Sequence, residues 1–259
     1  MKKTLSTLVL CSLLLTIGIA NAGDTEYSMT EYQALELATI DGQWTTVNEW
    51  TDGVMMLMSE DAVFTYNMDM TAFTIQWLVE IFTDNTDAAG DYWQICLDPD
   101  NSGGTAPQTG DFMIKILGHT TIEVYAGTGT GWGADIGSGE LVWANSISDS
   151  PWNSNPHYIL ELSDPDKQVG TIVTGQPPNG MRVAVYDADT DTLEAWPPGS
   201  NADVPNEYGV IADYSQEPIP EVLSLVGIIA LLSVGLLISS KFLQKPSKKQ
   251  EKKKYHLYL

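Results

Sequence analysis

The sequence predicts an all-β fold, an antiparallel β-sandwich with jelly-roll or immunoglobulin-like layers. Three observations favour this class. Many short segments alternate apolar and polar residues, clusters of Pro, Gly, Asn and Asp separate them, and helical periodicity is almost absent. No stretch between residues 40 and 214 is rich enough in linker residues to divide it. We therefore expect one sandwich domain over residues 40–214.

The clearest pair of strands lies in residues 91–116. A polar turn at 98–104 joins the two strands, and Cys96 lies opposite the apolar face, where a small buried residue is expected. A period of two with one apolar face is typical of strands packed on a core. The predicted inner residues are Trp93, Ile95, Leu97, Phe112, Ile114 and Ile116.

The other elements are weaker in the sequence but follow the same pattern. A short helix is expected at 30–38, and a glycine-rich loop at 127–139. Further strands are expected at 54–58, 62–68, 73–83, 121–125, 140–145, 157–163, 169–174, 181–187 and 209–213.

Both ends of the chain have the features of membrane-directed segments. Residues 1–22 combine two lysines, a short apolar run and a small-x-small cleavage pattern, which indicates a signal helix. Residues 222–240 carry no charge and would span about 28 Å as a transmembrane helix. The lysine-rich tail at 241–259 predicts a cytoplasmic end. With an N-terminal extension at 23–39 and a proline-containing tether at 215–221, we expect a single-pass cell-membrane protein with an extracellular body.

The predicted body is strongly acidic. Residues 23–217 hold 3 cationic and 32 acidic side chains, so their formal charge is −29. Such a surface repels the phosphates of nucleic acids, which excludes that class of partner. Binding of divalent cations and adaptation to a salty exterior both explain the charge, and the sequence leaves both open.

Oxygen-bearing side chains cluster in the loop of the central hairpin. Calcium takes about six to eight oxygen ligands, and this loop begins like an EF-hand. Ser102 stands at the fifth place and Thr109 at the twelfth, so no glutamate closes an EF-hand site. The predicted calcium ligands are Asp98, Asp100, Asn101 and Asp111. A second run of aspartates is formed by Asp187, Asp189 and Asp191, and a solvated turn is the alternative for both runs.

Several short motifs follow one another between residues 40 and 214. They are Ile40, Asp41 and Gly42 with Glu49 and Trp50; the DPDNSGG hairpin closing in Gly110, Asp111 and Phe112; Gly131, Trp132 and Gly133; HYILEL at 157–162; Trp196, Pro197, Pro198 and Gly199; and Asn206, Glu207, Tyr208 and Gly209. Together they resemble carbohydrate-binding module family 9 and the wider DOMON-like group. The resemblance implies a β-sandwich that binds sugars, often with structural calcium, whereas related DOMON domains bind haem.

The C-terminal segment carries a second resemblance. Pro220 and Glu221, placed before the apolar run, resemble archaeal C-terminal sorting signals, in which phenylalanine follows. Val222 takes that place here. We therefore expect an archaeal surface protein whose helix is retained.

Sugar binding requires exposed aromatic faces framed by polar side chains. Packing is the predicted role of five tryptophans, Trp44, Trp50, Trp77, Trp93 and Trp143. The remaining three lie in loops rich in Gly, Pro, Asn and Ser, and each could instead cover one end of the sandwich. These predicted stacking residues are Trp132, Trp152 and Trp196.

The sequence favours binding without catalysis. No G-x-S-x-G, H-E-x-x-H, P-loop or C-x-x-C motif is present. We expect a carbohydrate-binding module, with a structural cell-envelope protein without a small ligand as the first alternative. A haem-binding electron carrier is the second alternative, with His119, His157 or a methionine as axial ligand.

Overall fold

The computed structural model describes residues 24–69, 71–72, 74–165 and 178–215. These residues form two stacked β-sheets, which confirms the predicted all-β sandwich. The strands are β1 (Asp24–Tyr32), β2 (Val54–Leu57), β3 (Ala62–Asp69), β4 (Thr74–Ile81), β5 (Tyr92–Asp98), β6 (Phe112–Leu117), β7 (Thr121–Gly127), β8 (Trp132–Asp135), β9 (Val142–Ser148), β10 (His157–Asp164), β11 (Asn179–Asp187), β12 (Thr192–Trp196) and β13 (Gly209–Ser215), with a short 3-10 helix at Pro205–Glu207.

The larger sheet has eight strands. Its order is β1, β13, β11, β5, β6, β7, β8, and β12 also pairs with β11. Strand β11 uses one edge twice, because β12 pairs along Val183 to Asp187 and β13 along Asn179 to Met181. All pairs are antiparallel except β1 with β13, which are parallel.

The smaller sheet has five antiparallel strands in the order β2, β3, β4, β10, β9. Strand β4 lies at its centre and alternates as predicted, with Ile75, Trp77, Val79 and Ile81 in the core. The core fills the space between the two sheets, where the rings of Phe64 and Trp196 meet at 5.5 Å. Burial of these two inner faces is the main contribution to stability.

The first motif of the sequence covers the outer face of the smaller sheet through a buried carboxylate, Glu161. It accepts the backbone N–H groups of Asp41 and Gly42, both at 2.8 Å, and the indole N–H of Trp50 at 3.0 Å. Gly42 has φ +82°, and a Cβ there would lie 2.7 Å from the backbone of Asn145. The motif, residues 40–50, is therefore a covering loop. It needs glycine at position 42 because the backbone there lies directly against β9.

A second buried carboxylate, Glu80, fixes the same covering loop. It accepts the indole N–H of Trp44 at 2.6 Å and the hydroxyl of Ser150 at 2.8 Å. The ring of His157 lies 2.8 Å away from Glu80. The expectation that Trp44 and Trp50 serve packing is confirmed, because both belong to the cluster on this outer face.

Three elements differ from the sequence prediction. The helix expected at 30–38 is wrong, because residues 24–32, assigned to an extension, form β1 and pair with β13. Pairing partners so distant along the chain leave no local signal. Strands β8 and β12 were not predicted, because each is short and lies beside glycines or aspartates that indicate turns.

Several predictions fall outside the described residues. These are the signal segment 1–22, the strand at 169–174, the apolar segment 222–240 and the basic tail 241–259. Within the part of the chain that the structure describes, no helix is long and apolar enough to cross a membrane.

Candidate functional site

The loop between β5 and β6 brings three of the four predicted calcium ligands together. One carboxylate oxygen each from Asp98, Asp100 and Asp111 lies within 4.8 Å of the other two. Asp98 ends β5 and Asp111 precedes β6, so the antiparallel pairing of the hairpin places them side by side. Asp98 and Asp111 are buried, whereas Asp100 is exposed.

The backbone of the loop already surrounds these carboxylates with donors. Asp98 accepts the N–H groups of Ser102 at 3.0 Å and Gly103 at 2.7 Å, and Asp111 accepts that of Gln108 at 2.6 Å. Asn101 has φ +48°, a conformation that asparagine tolerates better than most residues. Its side-chain oxygen is buried without a hydrogen-bond partner.

The charges in this loop are poorly compensated. Burial raises the pKa of Asp98 to about 6. Burial, with the negative charges of Asp98 and Asp100, raises the pKa of Asp111 to about 7. A divalent cation would compensate these charges. The three clustered carboxylates therefore fit a calcium ion, and the unpaired oxygen of Asn101 is a further oxygen donor in the same loop.

Trp132 lies on the outer face of the larger sheet. It begins β8 and, like Tyr125, is a partly buried side chain that packs against the cluster of Cys96, Met113 and Tyr208. Gly127 pairs with Trp132 and donates its N–H to the carbonyl of Asp111 at 2.9 Å. Trp132 therefore lies two strand spacings from Asp111, about 10 Å. Of the predicted stacking residues, it is the one beside the acidic loop.

Trp152 lies on the opposite outer face of the sandwich. Its ring meets that of Trp44 edge-on at 4.9 Å, within the cluster that covers the smaller sheet. The ring is half-buried, so it retains some exposed surface. It cannot share a ligand face with Trp132, because both sheets stand between them.

Trp196 is buried in the core, so the prediction that it stacks a sugar is wrong. It is 2% exposed, and a Cβ at Gly209 would lie 2.2 Å from its ring. Trp196 pairs with Val183, which turns both side chains toward the core. The motif that begins at Trp196 and the motif that ends at Gly209 therefore pack against each other.

Sequence reasoning missed the tyrosines of the outer face of the larger sheet. Tyr92 and Tyr186 stack at 5.2 Å with an interplanar angle of 20°, and the Lys115 ammonium lies 4.1 Å from the ring centre of Tyr92. Tyr125 donates a hydrogen bond to Glu123. The period of two in the hairpin places Tyr92 on the face opposite Trp93, so the sequence already contained the signal for Tyr92. The position of Tyr186 could be found only from the pairing of β11 with β5.

The second aspartate run forms a turn. Asp187 accepts the N–H groups of Asp189 at 2.8 Å and Thr190 at 3.2 Å, and it also accepts the Thr190 hydroxyl at 2.8 Å. Asp191 accepts the hydroxyl of Tyr186 at 2.8 Å. These bonds form a turn, as the alternative for this run stated, but only Asp189 and Asp191 are solvent-exposed, whereas Asp187 is buried.

The two histidines of the described chain are engaged by the protein. His119 contacts Asp91 at 2.8 Å and Trp93 at 3.4 Å, and His157 contacts Glu80 and the carbonyl of Asn155, both at 2.8 Å. Axial ligation of haem by either ring would break one of these buried contacts.

The thiol of Cys96 is not a reactive group. It is buried as expected, and its burial raises its pKa to about 11. A thiol that stays protonated at neutral pH is a poor nucleophile and a poor metal ligand.

Comparisons with known proteins support the fold. No protein-family profile matches the sequence, and no curated protein matches it. A solved family 9 carbohydrate-binding module from Caldicellulosiruptor kristjanssonii, in complex with cellotriose, is 13% identical with a TM-score of 0.50, and the match covers 73% of this chain and 95% of that one. A family 9 module from the same organism with glucose is 14% identical with a TM-score of 0.47, covering 73% and 97%. The chain therefore has a fold similar to that of family 9 carbohydrate-binding modules.

Proposed function

We propose that the chain binds a carbohydrate without turning it over. The observation that carries this proposal is the outer face of the larger sheet, where Trp132 and Tyr125 form a half-buried aromatic surface. The fold similarity supports the same class, since the solved family 9 module that shares this fold was determined in complex with cellotriose.

The chemistry of this face suits a sugar ring. Flat aromatic rings cover the C–H groups of a pyranose, and charged or amide groups bind its hydroxyls. Glu123 and Lys115 are paired across β6 and β7 and lie one row away from Tyr125 on the same face. The surface therefore offers apolar and hydrogen-bonding groups within the width of a disaccharide.

The acidic loop would support this face when calcium is bound. We propose that Asp98, Asp100, Asn101 and Asp111 hold the ion. It would supply positive charge to the buried carboxylates and fix the loop against Gly127, which adjoins Trp132. Two hydrogen bonds already join Gly104 of this loop to Asn206, at 2.8 and 3.1 Å. Loss of calcium would then loosen the loop beside the aromatic surface.

The carbohydrate proposal is tested by binding of the full chain, purified in detergent, to a glycan array. Replacing Trp132 with alanine (W132A) is expected to weaken binding to the best glycan by about ten-fold or more, because the stacking surface is lost. A reducing-sugar assay on the same glycan is expected to detect no product.

The matched control is W152A, which removes another half-buried tryptophan from the opposite face. It should leave the affinity unchanged if the protein remains folded by circular dichroism. Equal loss in both variants, or full binding by folded W132A, would contradict the assigned face. Absence of binding to any glycan would favour the structural envelope protein.

A further inference from the structure

A second acidic cluster lies at the other end of β5. Asp84, Asp91 and His119 each place one ligand atom within 4.8 Å of the other two, and all three side chains are buried. Strand β5 separates this cluster from the Asp98 loop, so the two lie about 20 Å apart. No motif of the sequence and no part of the proposed function includes it.

His119 has a fixed role in this cluster. The indole of Trp93 is a donor only, so its contact with Nδ1 of His119 at 3.4 Å leaves the imidazole proton on Nε2. Nε2 then donates to Asp91 Oδ2 at 2.8 Å. The ring also stacks on Tyr158 at 3.7 Å. His119 therefore orients Asp91 and has no free lone pair for a metal.

Asp84 carries the observation that points to a ligand. The residue is 2% exposed, and its Oδ1 accepts the N–H and hydroxyl of Thr86 at 3.0 and 3.2 Å. Its Oδ2 is buried and has no hydrogen-bond partner. Burial above all, with the charges of Asp91 and Asp187, raises the pKa of Asp84. A buried carboxylate oxygen without a partner is costly unless another group compensates it.

We propose that Asp84 and Asp91 bind a divalent cation at this end of the sandwich. Asp84 Oδ2 is the free ligand, Asp91 is the second, and water completes the shell. Carboxylate and water ligands favour a hard cation of the calcium or magnesium type, and the imidazole proton on Nε2 disfavours zinc. His119 is a positioning residue, in the manner of outer groups that orient metal ligands.

The cation would connect segments that are distant in sequence. Asp91 already accepts the N–H of Ala188, from the turn after β11, at 2.8 Å. The carbonyl of Asp91 accepts the N–H of Gly118, from the β6–β7 turn, at 2.8 Å. The carbonyl of Asp84 accepts the N–H of Tyr158 on β10, also at 2.8 Å. An ion between Asp84 and Asp91 would therefore join both sheets at one end.

The test measures calcium binding by isothermal titration on the full chain in detergent. A D100N background removes one ligand of the Asp98 loop, so that calcium bound at that loop is weaker and the second site is resolved as a separate step in the titration. D100N is expected to retain one tight calcium site, and D84N in that background should bind calcium there at least about ten-fold more weakly. Zinc is expected not to displace calcium. Tryptophan-sensitised terbium luminescence should fall in the same variant, because Trp93 lies beside the cluster.

D149N in the D100N background is the matched control, because Asp149 is an exposed aspartate outside both clusters. It should bind calcium as D100N does. H119Q, which keeps a donor for Asp91, should retain more affinity than H119A. If D84N melts higher without calcium and responds to calcium as fully as D100N, Asp84 is only an uncompensated carboxylate and the inference is overturned. Absence of calcium binding by D100N, or zinc binding that depends on His119, overturns it as well.

Discussion

The buried side chain of Glu161 holds the covering loop by hydrogen bonds and makes the stability of the fold depend on pH. Its side chain is fully buried, yet three N–H groups from the covering loop point at it. Burial dominates these hydrogen bonds and raises the pKa of Glu161 to about 7. The folded protein therefore keeps a proton that the unfolded chain, with an ordinary value of 4.5, has already lost.

This residue gives the fold a predictable pH dependence. Between about pH 4.5 and pH 7 the folded state binds more protons than the unfolded state, so the free energy of unfolding falls as pH rises. The contribution of Glu161 is at most about 3 kcal/mol over that window. E161Q cannot titrate, so its free energy of unfolding should change less with pH in urea denaturation.

The control for this prediction is E60Q, because Glu60 is exposed. It should retain the full pH dependence of the original protein. At about pH 5, E161Q should also be less stable than the original, because one end of its amide is a donor and faces the donor indole of Trp50. An unchanged pH slope in E161Q would assign the titration to another group.

At the scale of elements, the central hairpin was the most predictable part of the molecule. The alternation of Trp93, Ile95 and Leu97 and the turn residues that follow determine both strands and the loop between them. The proximity of Asp98, Asp100 and Asp111 could also be predicted, because a hairpin brings residues together that are close in sequence. In this hairpin, the residues that show the alternating pattern are also the residues that contact one another.

The hairpin prediction is tested by melting the protein with calcium and with matched ionic strength. Calcium should raise the melting temperature by several degrees more than the salt control, since a bound ion stabilises the folded state. D111N should lose a larger part of this shift than D203N, an exposed aspartate in a different loop. Equal shifts with calcium and with salt would contradict a specific calcium site and would favour the alternative that the acidic surface is an adaptation to a salty exterior.

The aromatic residues around the candidate site depend on contacts between distant elements, which the sequence did not reveal. Tyr92 and Tyr186 are far apart in the chain and meet because β5 pairs with β11. Trp196 was expected at the surface because prolines and glycine follow it, but its pairing with Val183 turns it inward. Loop composition alone does not show which way a terminal strand residue points.

For the molecule as a whole, the acidic charge of the body and the two terminal segments predict where the protein lies in the cell. We propose that residues 222–240 anchor the protein in a membrane, with the acidic body outside. The full chain should remain in the membrane pellet after an alkaline carbonate wash. A variant that ends at residue 217 should appear in the soluble fraction.

Protease added to intact cells tests the orientation in the same experiment. The body should be digested from outside, whereas an epitope placed after residue 259 should be protected. Release of the full chain by carbonate, or protection of the body, would contradict the proposed anchoring or its direction.

The parallel pairing of β1 with β13 has a consequence for biogenesis. Among the strands that the structure describes, these are the first and the last, so β1 lacks its hydrogen-bonded neighbour β13 until synthesis has passed residue 215. Closing a contact across nearly the whole chain is entropically slow, and the unpaired strand stays exposed to association meanwhile. The newly made chain therefore needs to be kept from aggregating until its final strand has emerged.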